Sequence, residues 1–355
     1  MTRSLVPPGT GHLRAAGRPH RAPWLEDAAN RRIARWLWAR GWRTSIEPYP
    51  GYGAPGWVRV LARTVLSPPR PDGTQRAAQS TWDEPMRRVR GWRGFAKVRV
   101  KGARVEVHAG TQTHHLTSDR RGYVDAVVAA DLPAGWHDVE LVVATGAVTA
   151  PVFVVDPEVR SGIVSDIDDT VMVTSAPRPF LAVWNTFVLR ESARRSVPGM
   201  APLYQRLLRD DPSAPVLYLS SEAWNAAPAL GRFLRRNGYP AGPLLLTDWG
   251  PTRTGLLRDG VDHKRAALRR LVREFPQIRW LLVGDDGQRD PEIYTELAAE
   301  QPAHVRGVAI RQLTDGDRSG DPGVPLVAAR DGTKLAEALF VAGIDLTRRP
   351  ATSGH

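Results

Sequence analysis

The sequence predicts two domains of different class: an antiparallel β-sandwich over 44–156, then an α/β domain with a parallel sheet and helices on both faces over 157–346. Three observations lead there. The chain's 355 residues exceed what one core ordinarily holds. Between Trp57 and Val155, short runs alternate apolar with polar or charged residues and are separated by Gly or Pro clusters, the period of strands with one wet face. After Val155, apolar runs alternate with stretches of helical apolar spacing, the signature of a parallel sheet.

Residues 1–23 are rich in Pro, Gly and Arg without apolar periodicity and read as a disordered arm, and 347–355 read as a disordered tail. In the segment 24–43, Leu25, Ala28, Ala29, Ile33, Trp36 and Leu37 recur at three- and four-residue intervals, with Arg31, Arg32, Arg35 and Arg40 largely between them. This spacing predicts a basic amphipathic helix. Its apolar stripe either docks on the following domain, the commoner fate of such helices, or rests on an anionic membrane. Strands are expected at Trp57–Ala62, Ala96–Val100, Val105–His108, Tyr123–Val128 and Asp138–Val143, with a long mobile loop at Arg70–Arg93. His108, His114 and His115 form the densest histidine group, but no carboxylate stands near them at a metal-ligand spacing. They read as strand-surface residues, and the domain as a binding or positioning module.

In the second domain, strands are expected at Gly162–Ser165, Pro215–Leu219, Leu244–Leu246, Ile278–Val283 and Val305–Ile310. Helices are expected at Ala227–Asn237 and His263–Phe275, stopped by Gly238 and Pro276. Residues 171–214 are longer than a crossover requires and read as a cap-like insert; Phe180, Leu181, Val183, Trp184, Phe187 and Val188 make its first half apolar, either as a flap over the sheet edge or as residues that close the domain core.

The net charge of +12 comes almost wholly from arginine, since Lys97, Lys101, Lys264 and Lys334 are the only lysines. This reads as a chain-wide compositional bias, and nucleic acid is not expected as a partner. The informative part is the first 43 residues, where nine arginines face only Glu26 and Asp27. No window approaches eighteen consecutive apolar residues, and the start lacks a signal peptide's apolar stretch and cleavage site. A cytoplasmic protein, at most peripheral at the inner membrane surface, is the expectation. The absence of cysteine excludes disulfides, thiol nucleophiles and cysteine-held zinc or iron–sulfur sites, so any metal must be bound by oxygen or histidine.

Ligands of open α/β sheets bind beyond the carboxyl ends of the strands. There the first strand is followed by Asp166, Asp168, Asp169 and Thr170, the second by Ser220, Ser221 and Glu222, and the fourth by Gly284-Asp285-Asp286-Gly287-Gln288-Arg289-Asp290. An isolated Asp-x-Asp-x-Thr is no more than a helix-cap pattern. Two carboxylate clusters converging on one sheet edge are more, because so much negative charge calls for a hard divalent cation, and magnesium accepts few carboxylates plus phosphate oxygens. Lys264, a scarce lysine in an arginine-rich chain, supplies the positive charge that a phosphorylated aspartate needs.

The order Asp-x-Asp-x-Thr, Ser, Lys, Gly-Asp-x-x-x-x-Asp resembles the four motifs of the haloacid-dehalogenase superfamily. More narrowly, Ser165 to Thr170, Pro198-Gly199-Met200, Leu245 to Gly250, His263-Lys264, Phe275-Pro276, Gly284 to Tyr294 and Ile310-Arg311 resemble the actin-patch phosphatidate phosphatase catalytic-domain family and its bacterial relatives. The second motif departs from it: Ser220-Ser221-Glu222-Ala223-Trp224 stands where that family usually has Ser-Asn-Ser-Pro-Trp. The resemblance implies a haloacid-dehalogenase-like (Rossmann-like) sheet and a Mg2+-dependent phosphatase. Asp166 would then be the nucleophile that forms an aspartyl-phosphate, and Asp168 the general acid and base. Asp166, Asp168 through its backbone carbonyl, and Asp285 would hold Mg2+, aided by Asp286 or Asp290. Thr170, Ser220, Ser221 and Lys264 would surround the phosphate, Thr170 bracing the loop. The implied substrate is phosphatidate or a related lipid phosphate. Soluble phosphoesters or phosphoproteins are the alternative, and a non-catalytic basic adaptor for membranes or nucleic acid is a third class.

Overall fold

A computed structural model describes residues 23–68, 98–174, 195–209, 211–247, 256–314 and 323–344, with the backbone alone for 23–29 and 256–259. The arm, the expected loop at 70–93, the apolar half of the insert, the Asp248-Trp249-Gly250 turn and the tail lie outside the described residues. The chain divides into two compact units, Met1–Asp156 and Pro157–His355. No helix among the described residues is long and apolar enough to cross a membrane.

The first unit opens with α1 (Pro23–Ala39). Ala34 and Leu37 are buried with Leu66 and Val100, and the Asn30 amide donates to the Arg99 carbonyl at 3.0 Å, so one face of the helix is docked. Gly41, at φ 82°, lets the chain turn out of the helix. Seven strands follow: β1 (Arg43–Ala54), β2 (Gly56–Ser67), β3 (Arg104–Ala109), β4 (Gln112–Thr117), β5 (Tyr123–Ala130), β6 (Gly135–Val143) and β7 (Gly146–Val154). They form one sheet in the order β4-β3-β6-β7-β1-β2-β5, antiparallel except for the parallel pair β1–β7. Alternate residues such as Val105, Val107, Leu141, Val152 and Val154 fill a shared interior.

Three sequence expectations need correction here. The domain is one hydrogen-bonded sheet rather than the two sheets of a sandwich, because β1 inserts between β7 and β2 and joins what would be two halves. It is nearly closed, with the His114 ring on β4 reaching the Ala129 carbonyl of β5 at 2.7 Å. The histidines also have a carboxylate neighbour: Glu106 lies directly opposite His115 across β3–β4 and stands 2.8 Å from His108 Nε2 and 3.7 Å from His115 Nδ1. Glu106 and His108, two residues apart on β3, share a face, and pairing with β4 adds His115. Residues 98–100, expected in a strand, make only an isolated bridge between Arg99 and Val65.

The second unit contains β8 (Ser161–Asp166), a two-stranded pair of β9 (Met172–Val173) and β10 (Arg195–Ser196), α2 (Met200–Leu207), β11 (Val216–Ala223), α3 (Ala227–Arg236), β12 (Leu244–Thr247), α4 (Leu256–Glu274), β13 (Arg279–Asp285), α5 (Asp290–Glu300), β14 (Val305–Arg311), β15 (Leu326–Ala329) and α6 (Gly332–Val341). Six strands make an all-parallel sheet in the order β12-β11-β8-β13-β14-β15. Every residue of β8 is buried, as is all of β13 except Arg279, which explains their unbroken apolar runs. Arg265 and Arg269 tie α4 to Glu292, Glu296 and Glu300 of α5. α2 packs against α6 so closely that a Cβ on Gly332 would stand 2.2 Å from the Gly199 carbonyl carbon. The chain runs outward from β8 to β12 on one side and from β13 to β15 on the other. The strand order therefore reverses between β8 and β13, where such sheets hold their ligands.

Candidate active site

Asp166 is the last residue of β8 and Asp285 the last of β13, so neighbouring parallel strands deliver two carboxylates to one edge. Asp290 opens α5, and Lys264 comes from α4. The Lys264 ammonium donates to Asp166 Oδ1 and Asp290 Oδ1, each at 2.6 Å, with the lysine side chain 3% exposed. Carboxylate oxygens of Asp166, Asp285 and Asp290 lie within 4.8 Å of one another. Thr170 Oγ1 donates to Asp166 Oδ2 at 3.1 Å, fixing the carboxylate's second oxygen. Ser220, the last buried residue of β11, donates to Asp168 Oδ2 at 3.0 Å and accepts from the Glu222 N–H.

The structure thus brings Asp166, Asp168, Thr170, Ser220, Lys264, Asp285 and Asp290 together. The Ser221 carbonyl accepts from Thr247 Oγ1, and its side chain lies against Gly260 of α4, where an added Cβ would stand 3.0 Å from it. Asp286 is turned to a different task, accepting from the Leu313 N–H at 2.6 Å and from Thr314 Oγ1 at 2.9 Å. Of the two carboxylates that the sequence left open, Asp290 is the one in the cluster.

The electrostatics follow from burial. It pushes the Asp166 carboxyl well above the usual carboxylate range; Lys264 opposes the rise, while Asp290, Asp285 and Asp168 add to it. Burial, and then Asp290, push Asp285 up to about 7. Burial disfavours the charged form of Lys264, but Asp166 and Asp290 outweigh it and hold the ammonium above its ordinary value. Three carboxylates against one ammonium leave the cluster short of positive charge. Asp285 Oδ2 and Asp290 Oδ2 are buried without a hydrogen-bond partner. An all-oxygen donor set with two such orphaned atoms fits a hard divalent cation.

Supporting contacts were missed in the sequence. Ser165 Oγ, next in the chain to Asp166, meets the Tyr204 hydroxyl at 2.6 Å, and Tyr239 donates to the Val171 carbonyl at 2.8 Å. Asp169 holds φ 56°, and its carbonyl accepts from the Arg311 guanidinium at 2.5 Å. An aspartate tolerates that backbone region better than most side chains. Arg311 had a signal in its place after an apolar strand; the tyrosines had none.

Residues 161–312 match the family model described as phosphatidate phosphatase APP1, catalytic domain. This stretch resembles that catalytic-domain family. The part similar to the APP1 catalytic domain runs from the first residue of β8 to one residue past β14 and includes every cluster member named above. Phosphatidate phosphatase APP1 of Saccharomyces cerevisiae is 25% identical over 151 residues, covering 42% of this chain and 25% of that protein. An uncharacterised protein of Schizosaccharomyces pombe is 27% identical over 157 residues, covering 43% of this chain and 26% of its own length. The chain therefore spans about a quarter of the length of these APP1-like relatives. Among solved structures, a carbohydrate acetylesterase from Xanthomonas citri overlaps 83% of this chain and 72% of its own at 10% identity and a TM-score of 0.28, too distant to bear on fold or function.

Proposed function

We propose that the second unit is a haloacid-dehalogenase-like, Mg2+-dependent phosphomonoesterase that works in the cytoplasm on phosphatidate or a related lipid phosphate. The observation that carries the reading is the buried cluster of Asp166, Asp285, Asp290 and Lys264 at the point where the strand order reverses. The family match over 161–312 supports the lipid substrate.

In this reading, one oxygen of Asp166 attacks phosphorus, the ester P–O bond breaks, and Asp168 gives its proton to the leaving oxygen. Asp168 then takes a proton from water, which attacks the aspartyl-phosphate and releases inorganic phosphate. Asp166, Asp285 and Asp290 would hold the cation, with the Asp168 carbonyl as a further oxygen ligand. Bound Mg2+ would neutralise the carboxylates and polarise a phosphoryl oxygen. Lys264 offsets charge on the phosphoryl group, Ser220 orients Asp168, and Thr170 keeps the nucleophile's carboxylate from rotating.

The test is release of inorganic phosphate from phosphatidate micelles and from a panel of soluble phosphoesters, with Mg2+ or with EDTA. Wild type should turn over micelles only with Mg2+, and Asp166→Asn should lose on the order of 10⁴-fold or more. Turnover of soluble esters alone would remove the lipid substrate and keep the enzyme. No Mg2+-dependent turnover on any substrate would falsify the phosphatase reading.

A further inference from the structure

The helix α1 has two faces with different fates. Ala34 and Leu37 are buried, yet Ile33, Trp36 and Trp38 are 49%, 53% and 42% exposed, and Arg31, Arg32, Arg35, Arg40 and Arg43 are exposed as well. Residues 30–43 contain five arginines and no carboxylate. Among the described residues none of the five pairs with a carboxylate; Arg40 stacks on the Trp36 ring at 3.6 Å, and Arg43 donates to the Trp42 carbonyl.

At about 100° per residue, Arg31, Arg32 and Arg35 form a ridge on the side of the helix away from Ala34 and Leu37. Ile33 and Trp36 flank that ridge on one side, and Trp38 on the other. Two tryptophans and an isoleucine exposed beside these arginines give this surface the composition of an interface.

We propose that the outward face of α1 binds an anionic lipid bilayer, the arginine ridge lying against headgroup phosphates and the flanking indoles settling at headgroup depth. Leu37 is already buried with Leu66 and Val100, while Ile33 and Trp36 stay outside beside the arginines, so the contact is mainly electrostatic and shallow. Charge complementarity argues for phosphate-rich lipid. The shape argues against a nucleic-acid strand, because Trp36 and Trp38 point about 200° apart and cannot stack bases along one channel. A flat bilayer meets both flanks. The inference stands independently of the phosphatase reading, since it is measured without turnover.

The experiment is co-sedimentation of the full chain with vesicles of phosphatidylcholine alone or with about one-third phosphatidylglycerol. Binding to the anionic vesicles only, weakening as salt rises, is expected. Arg31→Gln, Arg32→Gln and Arg35→Gln together should weaken it on the order of a hundredfold, at roughly fivefold per arginine. The same three positions changed to lysine should keep it, and Trp36→Ala with Trp38→Ala should lose about tenfold. All of these residues are exposed, so melting temperatures should stay at the wild-type value. Equal binding to neutral vesicles, no binding to anionic ones, or undiminished binding by the glutamine variant would overturn the proposal. So would tight binding to an oligonucleotide without vesicle binding, which would assign the face to nucleic acid.

Discussion

Replacing Lys264 with methionine keeps the length and apolar packing of the side chain and removes only the ammonium. That ammonium stands 2.6 Å from both Asp166 and Asp290 in a site closed to water. Breaking a buried ion pair by deleting one partner costs roughly 3–5 kcal/mol, and carboxylates that can take up a proton recover part of it, so about 3 kcal/mol is expected in metal-free protein. At ~2–4 °C per kcal/mol for a unit of this size, the melting temperature with EDTA should fall by ~6–12 °C. The sign of the pH dependence follows from the carboxyls. An acid whose folded-state pKa lies above its unfolded value favours the native state at low pH and loses that advantage as pH rises through the folded value. Burial already raises Asp166, and Lys264 is what opposes the rise, so the variant's melting deficit should be larger at pH 8 than at pH 5. With Mg2+ present, turnover should drop on the order of 10²–10³-fold near neutrality, because the ammonium that offsets charge beside Asp166 is gone. Calorimetry with EDTA and the rate on p-nitrophenyl phosphate with Mg2+ check both. If the variant melts with the wild type and its rate does not fall, Lys264 does not balance the cluster.

Two further substitutions separate neighbours of the same loop. Asp290→Asn should weaken Mg2+ binding at least tenfold in a titration followed by melting temperature, whereas Asp286→Asn should leave it within about twofold, because Asp286 is spent on Leu313 and Thr314; its cost is about 1–2 kcal/mol of stability. Gly284→Ala would put a methyl 2.6 Å from Asp290 Oδ2 and 2.7 Å from the Tyr294 ring, so a loss of about 1–3 kcal/mol with weaker Mg2+ binding is expected in denaturant and metal titrations.

What could be read from the sequence were features whose cause is local. β8 and β13 announce themselves as apolar runs ending in acids, and their parallel pairing follows from that burial on both faces. β1 was missed because Pro48, Pro50, Gly51 and Gly53 look like a loop; a bulge between Tyr49 and Tyr52 accommodates them, and a Cβ on Gly51 would strike the Arg59 carbonyl at 2.3 Å. β4 was missed because Gln112–Thr117 has almost no buried residue to give it a period. In the site, strand ends and residue types were enough to find Asp166, Ser220, Lys264 and Asp285. They could not choose between Asp286 and Asp290, because that depends on which one a loop 25 or so residues later claims through its amide and hydroxyl groups. The Tyr204–Ser165 contact has the same character: it exists only once distant elements are side by side.

The parallel pair in the first unit bears on how the chain is made. Gly51 to Gly53 of β1 align with Val152 to Val154 of β7, and the Val155 N–H donates to the Gly53 carbonyl. Within this unit β1 and β2 come first in chain order, and they can pair as a hairpin as soon as both are made. The other side of β1 has no partner until the last strand of the unit has been synthesised. Through that interval a growing chain carries a bare strand edge, a ready template for joining to another unfinished copy. Closing it requires bringing together segments about a hundred residues apart, the kind of contact that slows folding. Yield of this protein should therefore depend on expression rate and temperature more than its final stability would suggest.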